Sequence, residues 1–218
     1  MDRVRDAWKR AADFPADKES AYHEHALAQR FDDHAKKRVL EYGCGGGSDA
    51  MSYLRRGCDV TFVDVVPENV AKAKERIDAA ALAPVSTGIV LQNSHTIPLP
   101  SAIFDVVNAH GVIHHIPEPL PVLRELRRVL KRGGWLYAML YTETLYARLA
   151  DATEALIKDK GLSRQEAFCW GTDGPGSTWA DYYTYESGCA LLAEAGFEVT
   201  STHEYNAQEF RTFRAVAR

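Results

Sequence analysis

Glu41-Tyr-Gly43-Cys-Gly45-Gly46-Gly47-Ser48 stands between a short apolar run and a stretch with helical spacing. Glycines let a backbone turn tightly and approach a ligand closely. The helix that follows offers free N–H groups at its start, which suit ligand oxygens. About 20 residues on, Asp64 ends a second apolar run. A carboxylate at that place can accept hydrogen bonds from both ribose hydroxyls of an adenine nucleoside. A dinucleotide fingerprint begun at Gly43 requires glycine or alanine where Ser48 stands, which tilts the reading away from NAD. No Gly-Lys-Ser/Thr follows, so a phosphate loop of the nucleotide-hydrolase kind is excluded.

The elements around these residues alternate. Residues 38–43 read as a buried strand, 48–56 as a helix, and 58–64 as a strand rich in β-branched side chains. Pro67 opens an alanine-rich helix to residue 83, and 85–92 is a third strand. Residues 104–109 form a fourth. A helix over 117–131 carries Leu120, Leu123, Leu126, Val129 and Leu130 on one face and ends at Gly133-Gly134. Residues 135–141 are a fifth strand. Such alternation predicts a doubly wound α/β fold, a mostly parallel sheet with helices on both faces. Residues 187–195 read as a last helix, with Gly196 as its cap. Residues 197–203 and 210–217 are two strands on a short turn. So short a link requires an antiparallel pair, so the sheet ends in a hairpin.

Five segments, in order, resemble the class I S-adenosylmethionine-dependent methyltransferases of the small-molecule type. They are Val39-Leu-Glu-Tyr-Gly-Cys-Gly-Gly-Gly47, Thr61-Phe-Val-Asp64-Val-Val-Pro-Glu68, Ile97-Pro-Leu-Pro-Ser-Ala-Ile-Phe-Asp105-Val-Val, Gly111-Val-Ile-His-His115-Ile-Pro and Leu126-Arg-Arg-Val-Leu-Lys-Arg-Gly-Gly134. The resemblance spans roughly residues 36–141. It implies a seven-stranded sheet with a reversed last strand, in agreement with the hairpin. It implies S-adenosylmethionine as cofactor and S-adenosylhomocysteine as product. Glu41, Gly43, Cys44, Gly45 and Gly47 would line the amino-acid end of the cofactor. Asp64 would hold the ribose and Val65 would pack on adenine. Asn93 and Ser94 stand where the family often has an Asp that bonds the adenine amino group, and an Asn carbonyl can accept that bond.

Methyl transfer from a sulfonium needs an aligned acceptor, and a protonated O or N acceptor also needs a base. Ligands of open α/β sheets bind at the carboxyl ends of the strands. His110 follows the fourth strand directly, with His114 and His115 in the next turn. His110 is the best-placed base or a cofactor contact, and His114 is the second candidate. His115 suits packing. Residues 168–185 hold six aromatics in 18 residues around a Gly/Pro-rich turn. They form either the wall of an acceptor pocket or a small satellite core. Trp170, Trp179, Tyr182 and Tyr183 are the candidate acceptor contacts there, with Tyr22 from the N-terminal segment.

Residues 1–35 read as N-terminal lid helices and 36–218 as the catalytic domain, with a substrate cover inserted at about 145–185. The expected reaction moves a methyl group to an O or N atom of a small molecule. A protein acceptor and a non-catalytic cofactor binder are the alternatives. The net charge of −4, from 26 basic and 30 acidic residues in 218, gives no footprint for nucleic acid or anionic membrane. The basic run Arg124, Arg127, Arg128, Lys131 and Arg132 reads as a solvated helix face, and His23 and His25 as solvated. No apolar run reaches the ~20 residues of a membrane span. The charged start lacks a secretory core, so a cytoplasmic location is expected. Cys44, Cys58, Cys169 and Cys189 show no zinc-ligand spacing, so four free thiols and no metal are expected.

Overall fold

The computed structural model describes residues 2–9, 29–82 and 85–218. Seven strands form one sheet in the order β3-β2-β1-β4-β5-β7-β6. They are β1 (Arg38–Tyr42), β2 (Asp59–Asp64), β3 (Ser86–Val90), β4 (Phe104–His110), β5 (Leu130–Tyr141), β6 (Phe197–Tyr205) and β7 (Phe210–Ala217). β1 pairs in parallel with both β2 and β4. Strand order therefore reverses beside β1, and a crevice opens at its carboxyl end. β7 runs antiparallel between β5 and β6, as the short turn requires.

The described helices are α1 (Asp2–Trp8), α2 (Ser48–Arg55), α3 (Pro67–Ala79), α4 (Pro119–Val129), α5 (Glu143–Arg148), α6 (Ala150–Lys160), α7 (Arg164–Asp173) and α8 (Tyr185–Glu194). Strand periodicity divides the core into two layers. Leu40, Tyr42, Val63 and Val107 face one way and meet Val122, Leu123 and Leu126 of α4 and Leu192 of α8. Val39, Val60, Phe62 and Val106 face the other way and meet Tyr53 and Leu54 of α2 and Ala73 and Ile77 of α3. α8 starts on the Thr184 hydroxyl, which accepts from the Ser187 N–H at 3.1 Å.

The fourth helix differs from its sequence reading. It ends at Val129 and passes straight into β5, so Gly133-Gly134 lies inside the strand rather than at the helix cap. Phe104 pairs with Leu130 and Val106 with Trp135, so the ladder carries an irregularity that the glycines span. Gly133 takes a φ of +76°, open to glycine at little cost. Leu130, 1% exposed, is drawn into the core as a strand residue.

A buried histidine makes the fold pH-sensitive. His34 lies 2.6 Å by its Nε2 from the Tyr137 hydroxyl. Burial brings its pKa from 6.5 down to about 4. The unfolded chain therefore binds a proton between these values that the folded chain refuses. Stability is full above about pH 6.5 and falls as pH drops toward 4. Urea midpoints at about pH 7.5 and about pH 5 check this, and His34→Gln should shrink the difference between them. An unchanged difference would assign the acid sensitivity elsewhere.

Candidate active site

The crevice beside β1 contains a cavity of about 190 Å³ whose walls include Tyr42, Gly43, Gly45, Asp64, Val65, Leu91, Ser94, Val112 and Ile116. Its surface is mostly apolar, with Asp64 at the base. Gly43 has a φ of +74°, and a Cβ there would stand 2.3 Å from Val112 Cγ2. The bare glycine lets Val112 close against the loop and form this part of the wall.

Asp64 is 7% exposed. Its Oδ2 accepts from the Gly45 N–H at 3.1 Å and from Asn69 Nδ2 at 3.1 Å. Its Oδ1 accepts from the Val66 N–H at 2.9 Å. Burial pushes its carboxyl above the usual range, against the pull of these donors. Three donors fill three of roughly four lone-pair sites. The carboxylate thus ties the glycine loop to the start of α3 and keeps acceptor capacity for a hydroxyl in the cavity. Tyr42 fixes the far wall, donating its hydroxyl proton to the Ser94 carbonyl at 2.7 Å.

Of the predicted cofactor residues, Gly43, Gly45, Asp64, Val65 and Ser94 line this cavity. Several others are placed elsewhere. Glu41 is 3% exposed and accepts from Asn108 Nδ2 at 2.9 Å, on the opposite face of β1 from Tyr42. Cys44 packs in the core beside α2, and burial pushes its thiol up. Gly47 is needed for packing, because a Cβ there would meet Ala73 at 2.8 Å. The Asn93 carbonyl oxygen accepts from the His95 N–H at 2.9 Å, so its side chain serves a local turn. Sequence reasoning missed Trp8, Tyr42, Asn69, Leu91 and the residues after β4 that also line the cavity, Gly111, Val112, His115, Ile116 and Pro117. For Leu91 the signal was its place at the carboxyl end of the third strand.

α1 packs against the cavity, with Trp8 in its lining. Arg5 Nε donates to the Val65 carbonyl at 3.0 Å, and Asn69 Nδ2 donates to the Trp8 carbonyl at 3.2 Å. The Trp8 ring lies 4.2 Å from that of His115. Residues 10–28 of the expected lid, with Tyr22, His23 and His25, lie outside the described residues, and Phe31 and His34 at its end are buried away from the cavity.

His110 ends β4. Its Nε2 is 2.9 Å from the Tyr205 hydroxyl on β6, and its Nδ1 is 3.9 Å from Asp49 Oδ2. Asn108 Nδ2 bridges Asp49 Oδ2, at 3.1 Å, and Glu41. The carboxyl ends of β1, β4 and β6 thus share one polar chain. His114 is corrected as a catalytic candidate. It is fully buried and stacks on Tyr141 with ring centroids 3.7 Å apart. Burial pushes its pKa well below the usual imidazole value, and the ring is packed away from the cavity, which suits packing and not proton transfer.

The aromatic segment also departs from the pocket-wall alternative. α5, α6 and α7 occupy the insertion. Tyr182 stacks on Tyr146 with centroids 4.3 Å apart, and the Arg164 guanidinium caps both rings. Tyr183 packs against the main core, and its backbone bonds Tyr141. The satellite core is therefore what Tyr182 and its neighbours build. Trp170 lines a separate cleft of about 880 Å³ between α1 and α7. The Trp179 carbonyl contacts His115 at 2.9 Å.

An open sheet with its glycine loop, buried ribose-type carboxylate and apolar slot at the switch point defines a nucleoside-binding α/β protein. Residues 40–138 match a family described as "Methyltransferase domain". Residues 40–138 are thus similar to a class I S-adenosylmethionine-dependent methyltransferase domain, whose cofactor is that compound. A ubiquinone biosynthesis O-methyltransferase of Chromobacterium violaceum is 32% identical over 103 residues, 47% of this chain and 44% of that protein. The chain thus spans under half the length of the curated relatives it matches. A methyltransferase structure from Methanosarcina mazei aligns with a TM-score of 0.69 at 18% identity, over 88% of this chain and 96% of that one. A possible histamine N-methyltransferase from Thermotoga maritima aligns at 0.60 and 18%, over 97% and 100%. The last two speak for the fold alone.

The residues present fit the cofactor. Asp64 suits the ribose, Val65, Leu91 and Ile116 suit the adenine, and Gly43 and Gly45 leave room for the rest.

Proposed function

We propose that the chain transfers a methyl group from S-adenosylmethionine to an O or N atom of a small-molecule acceptor by in-line displacement. The observation that carries this reading is the juxtaposition of the Asp64 cavity with the His110–Tyr205 pair at one sheet edge. The cofactor supplies a methyl group activated by positive sulfur. The chain's own work is to hold the acceptor in line and to take its proton. His110, braced by Tyr205 and facing Asp49, is the group for that proton. Trp170 and the cleft between α1 and α7 border the route by which an acceptor arrives. The name of the Chromobacterium relative supports a small hydroxylated acceptor. Nothing in the charge distribution favours nucleic acid. Among the described residues no helix is long and apolar enough to cross a membrane, in keeping with a cytoplasmic role.

Calorimetric titration with S-adenosylmethionine, S-adenosylhomocysteine and NAD tests the first half, and turnover on phenols and amines the second. Binding of the sulfur compounds with turnover is expected. Binding without turnover on any acceptor would favour a non-catalytic binder, and binding of NAD alone would overturn the reading.

A further inference from the structure

His115, Cys169 and Asp173 each offer one ligand atom, and these atoms lie within 4.8 Å of one another. Cys169 and Asp173 are four residues apart on α7, so they share one helix face. His115 arrives from the turn after β4. The His115 Nδ1 stands 2.9 Å from the Trp179 carbonyl, which can only accept, so Nδ1 carries the N–H. Nε2 is left to point at Asp173 Oδ2, 3.9 Å away. Cys169 Sγ is 3.8 Å from the same oxygen. A ring lone pair, a thiol sulfur and a carboxylate thus converge, and no N–H stands between Nε2 and the carboxylate. A divalent ion is a group that all three can ligate at once.

The surroundings have the form of a metal site's supporting shell. A metal-bound histidine commonly donates its other N–H to a backbone carbonyl, as His115 does to Trp179. Asp173 is held at Oδ1 by the Tyr141 hydroxyl at 3.1 Å, and its inward oxygen Oδ2 also accepts from the Thr172 hydroxyl. Zinc bonds of about 2.0–2.3 Å in a tetrahedron place such ligand atoms roughly 3.4–3.6 Å apart. The two separations to Asp173 Oδ2, 3.9 Å from Nε2 and 3.8 Å from Sγ, need contract by a few tenths of an ångström, and Sγ, 3.9 Å from Nδ1, must move toward Nε2. The mix of thiolate, imidazole and carboxylate suits zinc rather than magnesium or calcium.

We propose that His115, Cys169 and Asp173 bind one zinc-class divalent ion, with a fourth position left for water or another ligand. Binding expels the Cys169 thiol proton to solvent, and the ion accepts the thiolate, the Nε2 lone pair and the Asp173 carboxylate. The ion would pin α7 to the turn that carries the cofactor-cavity wall.

Protein stripped with a chelator and titrated with Co²⁺ tests this. One equivalent should bind, with the intense visible bands of a tetrahedral site and a thiolate-to-metal band, and Zn²⁺ should displace it. Cys169→Ser and Asp173→Asn should each weaken binding by about 100-fold or more, and Cys169→Ser should erase the thiolate band. Cys189→Ser, which alters a thiol outside the cluster, should change neither. Tyr141→Phe, which removes only the outer hydroxyl, should cost about 10- to 100-fold. No saturable uptake by the unaltered protein would overturn the site. So would uptake unchanged in both ligand variants.

Discussion

Replacing Asp64 by alanine is expected to weaken S-adenosylhomocysteine binding by about 100-fold or more, close to 3 kcal/mol. The size follows from what the carboxylate holds besides a ligand. The N–H groups of Gly45 and Val66 and the Asn69 amide all donate to it. Each buried donor left unmet costs on the order of 1–3 kcal/mol, less whatever entering water recovers. The ribose hydroxyls lose an acceptor in the same change. The Gly45 end of the loop also loses its tether, so the cavity is no longer held ready. Asp64→Asn keeps one carbonyl oxygen and should lose about tenfold. Calorimetry with the product avoids turnover, and a melting curve confirms that each variant is folded. Affinity unchanged in Asp64→Ala would remove the ribose assignment.

The second large effect concerns rate. His110→Ala should lower kcat by about 100-fold, at the lower end of general acid–base contributions. The product affinity should stay within about twofold, because His110 does not line the cofactor cavity. Tyr205→Phe removes the hydroxyl 2.9 Å from Nε2 and should cost less, about tenfold, by freeing the ring to turn. Equal losses of rate and product affinity in His110→Ala would make it a binding residue instead of the base.

The sheet was legible because buried parallel strands leave a plain mark: short apolar runs closed by glycine or a polar residue. Val39-Leu-Glu-Tyr and Thr61-Phe-Val-Asp both carry it. The cavity was half legible. Family position placed Glu41 at the cofactor, yet a strand alternates its faces. Tyr42, one residue on, is the side chain that reaches the cavity, while Glu41 shares its face with Val39. At Gly133-Gly134 a pair of glycines looked like a helix end. The demand of Leu130 and Trp135 for the sheet decided otherwise, and no local signal carries that demand. The cluster of His115, Cys169 and Asp173 escaped for a different reason. Two ligands sit four apart on α7, but the third is 54 residues upstream of Cys169, so no spacing rule joins them. The aromatic segment was ambiguous for want of partners: Tyr146, on another helix, makes Tyr182 a packing residue.

The position of β7 between β5 and β6 bears on how the molecule assembles. β5 and β6 share no hydrogen-bonded register, so β6 has nowhere to dock until residues 210–217 fill the gap. The sheet cannot be zipped in the order in which the chain runs: β6 and β7 form a local hairpin, and the β5–β7 ladder that docks it joins distant segments, the kind of contact that slows folding. The half that carries the glycine loop and Asp64 needs only β1 to β4. Tyr205, which braces His110, stands on β6 and comes into place with the final strand. The nucleoside half of the crevice thus rests on β1 to β4 alone, whereas the proton-handling half also needs β6 and the strand that seats it.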